Sequence, residues 1–200
     1  GWQSSHTIVQ VLSEDLPFTL DSLRVELNRR NLGIHALHNA VITLKRDSRN
    51  HFAGFLSSNS KAKSARHETL LSIEIDRHAD PRLLQDLEQA LNDVLYQVAM
   101  VVEDFQPMQG KTEQLIAMYD AIPPAKRPDG MAETRAFIGW LQQHFTFLGY
   151  DEYALTSSRS KQLQPLAGSQ LGVLKYCDDY CRAELINDEQ RDLGQFTLIP

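Results

Sequence analysis

The sequence predicts an α+β protein in which amphipathic helices cover an open antiparallel sheet. Three observations carry this prediction. A strand, an amphipathic helix and a second strand follow one another within residues 7–47. A third strand with alternating apolar residues runs over residues 69–76, and a long helix with apolar steps of three and four begins after Asp80. The compact turn between the first strand and helix is typical of a small-molecule sensing module rather than of a catalytic centre.

The composition indicates a globular protein and argues against nucleic-acid-binding and membrane-spanning classes. The chain has 200 residues, 42% of them hydrophobic, which suffices for one or two globular domains. The net charge of −6 argues against a nucleic-acid partner, because phosphate binding requires clustered lysine and arginine. No apolar run approaches the roughly 18 residues of a membrane span, and no signal peptide is recognisable, so we expect a cytoplasmic protein. Both ends read as cut, which indicates a piece of a longer polypeptide.

The first strand is predicted over residues 7–12, and a turn over residues 13–17 leads into the helix. Asp15 is placed to cap this helix through its carboxylate, and Pro17 suits a first-turn position because its missing N–H costs nothing there. Asn31 is expected in the left-handed conformation at the helix end. The helix has a single apolar stripe, formed by Leu16, Leu20, Leu23 and Leu27.

The second strand is predicted over residues 33–45, with a bend near residues 38–39 because it is longer than average. A short strand is expected at residues 51–56, and the small polar residues 57–67 predict a loop. The third strand places Leu71, Ile73 and Ile75 on one face and polar residues on the other.

The long helix has heptad spacing over more than three heptads. Pro107 is expected to end or kink it, and a separate helix is predicted over residues 111–121. We favour a helix that lies on the sheet, with a coiled-coil dimer as the alternative. A strand over residues 98–102 is the third interpretation, because β-branched residues crowd there.

The later part of the chain predicts a second folding unit. Residues 122–130 hold three prolines and a glycine and read as a linker. A helix over residues 132–144 follows, then strands near 146–153 and 171–176 and a polar segment over 178–191. These features predict a first domain at residues 1–105, a helical connector and linker at 106–130, and the truncated start of a second α+β domain at 131–200.

Motifs for catalysis or cofactor binding are lacking in this sequence. It contains no glycine-rich dinucleotide turn, no P-loop and no nucleophile elbow. His35 and His38 are expected on opposite faces of a strand and cannot share a metal. Cys177 and Cys181 are interpreted as ordinary thiols, because a zinc site would need two more ligands. We therefore predict no catalytic, cofactor-binding or metal-binding residue in this chain.

The order strand, turn with Asp15 and Pro17, leucine-striped helix and Asn31-Leu32-Gly33-Ile34 exit resembles an ACT domain. ACT domains are βαββαβ (ferredoxin-like) modules of amino-acid-regulated enzymes. Several longer strings, in this order, resemble the N-terminal region of the large bacterial NAD-dependent glutamate dehydrogenases: DLPFTLDSLRVELNRRNLGIH, LLSIEIDR, VVEDFQPM, HFTFLGYDEY and LGVLKY. The resemblance covers most of residues 7–176.

This resemblance implies oxidative deamination of L-glutamate to 2-oxoglutarate with NAD, in a downstream catalytic domain that this chain lacks. The chain itself would consist of regulatory and assembly modules. The first domain would be ACT-like, and a PAS-like fold is one possibility for the second. Its partners would then be its own catalytic domain and other subunits of a homo-oligomer. No cofactor would bind within these 200 residues, and NAD would bind elsewhere in the full-length protein.

Two functions remain open for the first turn. In one, an amino-acid effector binds between the first strand and helix, with Asp15 and Asp21 receiving its ammonium group and backbone N–H groups receiving its carboxylate. In the other, the module binds no ligand and serves assembly. Amino-acid-binding ACT domains usually carry glycine where Phe18 stands, which favours assembly. The candidate effector residues are Glu14, Asp15, Leu16, Pro17, Phe18 and Asp21.

Overall fold

The structure is a computed structural model that describes residues 4–155 and 163–176. By its internal contacts the chain forms two compact units, Gly1–Ala99 and Met100–Pro200. The predicted polar segment at residues 178–191 and the two cysteines lie outside the described residues.

The first unit confirms the predicted α+β class and the ACT-like sandwich. Helix α1, Thr19–Arg29, connects the first two strands, and helix α2 begins at Pro81 after the last one. Four strands form one antiparallel sheet in the spatial order first, fourth, second, third. They are β1 Thr7–Glu14, β2 Ile34–Arg46, β3 Phe52–Phe55 and β4 Ala65–Ile75.

The core of this unit forms where the helices meet one face of the sheet. In the β1–β4 ladder, Val9 lies opposite Ile73 and Val11 lies opposite Leu71, so apolar residues of both strands share a face. The leucine stripe of α1 covers that face, as its spacing predicts. The buried cluster consists of Val11, Leu23, Leu27, Leu71, Ile73, Ile75, Leu87 and Leu91.

Two strand predictions need correction. The pairing of β2 is irregular between Ile34 and Ala36 and again between Lys45 and Arg46, not near residues 38–39. The stretch from Ala36 to Lys45 pairs residue by residue with β4, so its ladder keeps the middle of β2 regular. Strand β4 begins at Ala65, inside the loop predicted over residues 57–67, because its first residues pair with the end of β2.

Helix α2 runs without interruption over Pro81–Ala121 and contains Pro107. The predictions of a helix end at Pro107, a separate helix at 111–121 and a strand at 98–102 are therefore wrong. An interior proline costs a helix one hydrogen bond and a steric clash, about 3 kcal/mol. Val98, Val101 and Met108 are buried along the helix before and after this position. Their burial offsets the cost of the proline, so the apolar stripe decides the local structure.

The second unit contains helix α3, Met131–His144, which matches the prediction within one residue. The predicted linker holds a 3-10 turn at Pro124–Lys126. The later strands are shorter than predicted and form two small antiparallel pairs. The first pair is β5 Gly149–Tyr150 with β8 Leu171–Gly172, and the second is β6 Tyr153–Leu155 with β7 Leu163–Pro165.

Gly172 limits the length of β8. Its φ is 60°, and a Cβ at this position would lie 2.2 Å from the Leu148 carbonyl oxygen. The chain then turns directly into a 3-10 helix at Val173–Lys175. With φ 60° and ψ −140°, the backbone of Gly172 departs from the extended conformation of a strand, so the predicted strand over 171–176 stops after two residues.

Candidate functional site

The candidate site is the elbow, defined as residues 14–18, that joins β1 to α1. Local backbone contacts hold it in place. The Asp15 N–H donates to the His67 carbonyl at 3.1 Å, and the Leu16 N–H donates to the Glu14 carbonyl at 2.9 Å. The predicted sequence of strand, proline-containing turn and leucine-striped helix is confirmed.

Asp15 does not cap α1, in contrast to the prediction. Its Oδ1 accepts a hydrogen bond from the Thr69 hydroxyl on β4, at 2.6 Å. Thr69 is buried, and a buried hydroxyl needs a hydrogen-bond partner. The helix begins only at Thr19, so Pro17 lies before it rather than in its first turn. The carboxylate thus ties the elbow to the sheet.

Phe18 occupies the position that precedes α1, with φ 67° and ψ −7°. This left-handed conformation is easy for glycine and strained for a bulky residue. The phenyl ring is 51% exposed, so core packing does not account for the strain. The backbone at this position therefore has the geometry for which glycine is suited, although the residue is phenylalanine.

We predict that Phe18→Gly keeps or raises the free energy of unfolding by up to about 1 kcal/mol, because it relieves the strain at φ 67°. Phe18→Val should lower it by about 1 kcal/mol, since β-branched residues tolerate this conformation least. Urea unfolding monitored by circular dichroism measures both variants. A larger loss for glycine than for valine would contradict the strain argument.

The acidic residues predicted to bind an effector have neighbours within the protein. Asp21 lies on α1 with an exposed carboxylate, 3.8 Å from the Arg24 guanidinium. Asp15 is engaged by Thr69, and Glu14 lies opposite Glu68 in the sheet. Both carboxylates expected to receive an ammonium group therefore already have a hydrogen-bond donor or cation beside them.

Two buried carboxylates of the first unit, Glu26 and Glu68, were missed by sequence reasoning. Glu26 on α1 accepts hydrogen bonds from Arg29 at 2.9 Å and from Arg30 at 2.6 Å. Glu68 on β4 accepts from Arg46 on β2 at 2.5 Å. The hydrogen bond from Arg29 lowers the pKa of Glu26, and the hydrogen bond from Arg46 lowers the pKa of Glu68.

These lowered pKa values predict acid sensitivity. A carboxyl group with a folded pKa below its unfolded value stabilises the fold above the unfolded pKa, 4.5 for glutamate, and loses this contribution as pH falls through the folded pKa. The urea midpoint of the wild type should therefore fall from pH 6 to pH 3. Glu68→Gln should show a shallower fall over the same window, and an equally steep fall would contradict this assignment.

A polar network in the second unit joins α2 to the end of the described chain. Asp104 on α2 is buried and accepts hydrogen bonds from the Gly172 N–H at 2.7 Å and from Lys175 Nζ at 2.9 Å. Burial alone would raise the pKa of Asp104, but these donors outweigh it and lower the pKa. The strings VVEDFQPM and LGVLKY, which carry the family resemblance, thus meet through this carboxylate.

A second set of contacts lies beside it. Lys111 Nζ is 2.6 Å from Glu152 Oε1, and the Tyr150 hydroxyl donates to the same oxygen at 3.0 Å. Burial, followed by the neighbouring Glu152, raises the pKa of Tyr150 to about 12. The tyrosine therefore stays protonated and neutral at physiological pH, which suits a structural donor rather than a catalytic base.

Known proteins are similar to this chain over much of its length. Residues 1–91 match the family model described as "Glutamate dehydrogenase, ACT1 domain". The similarity to this ACT1 model thus covers just under half of the 200 residues. The NAD-specific glutamate dehydrogenase of Halomonas elongata is 42% identical over 178 residues, which are 88% of this chain and 11% of the relative. The enzyme of the same name from Pseudomonas aeruginosa is 40% identical over 156 residues, 78% of this chain and 10% of the relative.

The chain thus spans about a tenth of the length of the curated relatives it matches. The ACT1 match covers the elbow, the four-stranded sheet and the start of α2. The resemblance to an N-terminal region of this enzyme family is confirmed. The match extends past the ACT1 domain in both relatives, because the aligned lengths exceed 91 residues.

Over residues 4–155 and 163–176, no group of three or more His, Cys, Asp or Glu residues is arranged to hold a metal ion. His35 Nε2 lies 2.8 Å from Asp76 Oδ1, and the ring centroids of His35 and His6 are 4.3 Å apart with the rings tilted by 33°. In the same residues, no helix combines the length and apolar character that crossing a bilayer requires.

Proposed function

We propose that this chain is the non-catalytic regulatory and assembly region of a longer NAD-dependent glutamate dehydrogenase. The observation that carries the proposal is the ACT1 match, together with relatives of which this chain represents about a tenth. The full polypeptide would oxidatively deaminate L-glutamate to 2-oxoglutarate in the cytoplasm, with NAD bound outside these 200 residues. Its partners would be its own catalytic domain and the other subunits of a homo-oligomer.

We propose two domains joined by a connector and linker. The ACT1 domain would occupy residues 1–105, and residues 106–130 would form a helical connector and linker. A second α+β domain, PAS-like in type, would begin at residue 131 and run past residue 200. Helix α2 continues to Ala121, which supports a helical first part of the connector.

Contacts at the elbow favour assembly over effector binding. Phe18 places a half-exposed phenyl ring where a ligand would approach the start of α1. Asp15 is held by Thr69. A site for an amino acid needs polar groups that are free to converge on the ligand, and these contacts reduce that freedom.

An exposed aromatic cluster on the second unit also favours assembly. Trp140 on α3 stacks on Phe137 at 6.0 Å between ring centroids and meets Phe145 edge-on at 5.2 Å. All three side chains are close to half exposed. Clustered, exposed aromatic residues are typical of protein–protein interfaces, where they form energetic hot spots.

The activity of the isolated chain tests this proposal. With L-glutamate and NAD, the 200-residue chain should give no NADH absorbance at 340 nm, whereas the full-length polypeptide should give a steady increase. Glutamate-dependent NAD reduction by the isolated chain would overturn the non-catalytic role. A full-length polypeptide without this activity would overturn the assignment to the enzyme.

Amino-acid sensing at the elbow is the second candidate. The observation that favours it is the start of α1, which has no side-chain cap, so its first N–H groups are free to bind a carboxylate. A ligand at about a hundred times its dissociation constant would add about 2.7 kcal/mol to the stability. A thermal-shift screen of the twenty amino acids tests it, and we expect no shift. A shift with any of them that Asp15→Asn abolishes would favour sensing.

A further inference from the structure

Strand β1 forms one edge of the four-stranded sheet. One side of it pairs with β4 along its whole length, Thr7–Glu14. Within the described part of the chain, the other side pairs with no strand. An edge strand presents a row of N–H and C=O groups that can accept one more strand.

A cleft of about 500 Å³ lies along this open edge. Every residue that lines it comes from β1 or from the first part of α2. Most of the lining is apolar, with Val9 and Val11 on the helix-covered face of the strand and Leu84, Leu91 and Leu95 on the helix. Because both elements line the cleft, α2 extends over the position where a further strand would lie.

The size and chemistry of the cleft define what fits there. The strand side runs over Thr7–Leu12, and six residues of a strand span about 20 Å. An added strand would direct alternate side chains toward α2, so these must be apolar. Glu88 is the one charged residue in the lining, so the occupant carries a neutral or basic residue near it.

A second copy of this domain does not fit through its own β1. Neighbouring strands lie 4.7–4.9 Å apart, whereas packed helices need about 8–10 Å between their axes. In two copies joined through their β1 strands, the α2 helix of each would cover the strand position that the other copy occupies, which leaves too little room for two packed helices. The occupant is therefore a strand without a helix of its own over this face.

We propose that the cleft receives one extended segment of the same polypeptide, from outside these 200 residues. This inference rests on the proposed function, because it requires the longer enzyme. About nine-tenths of a polypeptide of the relatives' length lies outside the matched region. Tethering makes docking of such a segment an intramolecular event, which favours it over a separate partner. The segment completes the sheet and joins the ACT1 domain to the remainder of the enzyme.

Site-specific photo-crosslinking in the full-length enzyme tests the proposal. Gln10 lies on β1, lines the cleft and is exposed, so Gln10→p-benzoylphenylalanine places a reactive group at the open edge. After irradiation, mass spectrometry should find a crosslink to one peptide outside residues 1–200. The denatured mass should stay that of a single polypeptide. The control is Val25→p-benzoylphenylalanine, on the exposed face of α1, which should not label that peptide.

A crosslink that doubles the denatured mass, or yields no more than the Val25 control, would overturn the proposal. Amide hydrogen exchange of the unsubstituted protein is the second readout. Residues 7–12 should exchange at least tenfold more slowly in the full-length enzyme than in the 200-residue chain, and equal rates would also overturn it. NAD reduction by the same preparation separates the two proposals. An active enzyme without the crosslink refutes only the docking, whereas a full-length protein without activity refutes the proposed function.

Discussion

Leu27→Ala should lower the free energy of unfolding of the first unit by about 3 kcal/mol. Leu27 is fully buried and belongs to the cluster in which α1 meets β4 and α2. Truncation removes the transfer free energy of the lost methyl groups and leaves a cavity that the packed neighbours fill only in part. Urea unfolding followed by circular dichroism at 222 nm measures the loss.

The matched control lies two residues away on the same helix. Val25 is 66% exposed, so Val25→Ala should change the stability by less than about 0.5 kcal/mol. Alanine also has the higher helix propensity, which limits any loss. Equal effects of the two substitutions would mean that α1 does not pack on the sheet through its leucine stripe.

Gly172→Ala should destabilise the second unit by about 3 kcal/mol. The added Cβ would lie 2.2 Å from the Leu148 carbonyl oxygen, a backbone atom that cannot rotate away, and the φ of 60° is itself unfavourable for alanine. The Gly172 N–H also donates to Asp104, so any shift of the backbone loosens that buried carboxylate. The melting temperature and the amide exchange of residues 149–150 report both effects.

Gly139→Ala is the control for this glycine. Gly139 lies within α3, and no atom lies within 4 Å of a Cβ built there. Alanine should therefore stabilise the helix by up to about 1 kcal/mol. A Gly172→Ala variant that melts at or above the wild-type temperature would contradict the close approach of Leu148 and Gly172.

Local periodicity made much of the first unit predictable. The leucine spacing of α1 and the alternation of β4 identify which faces are buried, because each pattern reflects one element against one core. The left-handed conformation of Asn31, with φ 56°, was also predictable, because asparagine at the end of a helix tolerates this conformation. The resemblance to an ACT domain rested in part on the leucine stripe of α1 and on Asn31.

Partners distant in sequence were not predictable. The Thr69 hydroxyl donates a hydrogen bond to Asp15, 54 residues away in sequence. The Gly172 N–H donates one to Asp104, 68 residues away. A local pattern signals that a carboxylate can cap a helix, but it does not show that a buried donor elsewhere competes for it. Pro107 is the opposite case. A proline predicts the end of a helix, but the burial of apolar residues along α2 stabilises the helix through this position.

We propose that these 200 residues regulate and assemble a glutamate dehydrogenase without taking part in its chemistry. The decisive comparison is between the full-length enzyme and a form that begins after residue 200, with NADH production and subunit number measured on the same samples. The subunit number is the native mass divided by the subunit mass, because the deletion itself removes 22.7 kDa from each subunit. We expect the shortened enzyme to reduce NAD with L-glutamate but to have a changed number of subunits. A shortened enzyme that stays folded and keeps its subunit number, yet has no activity, would contradict the proposal.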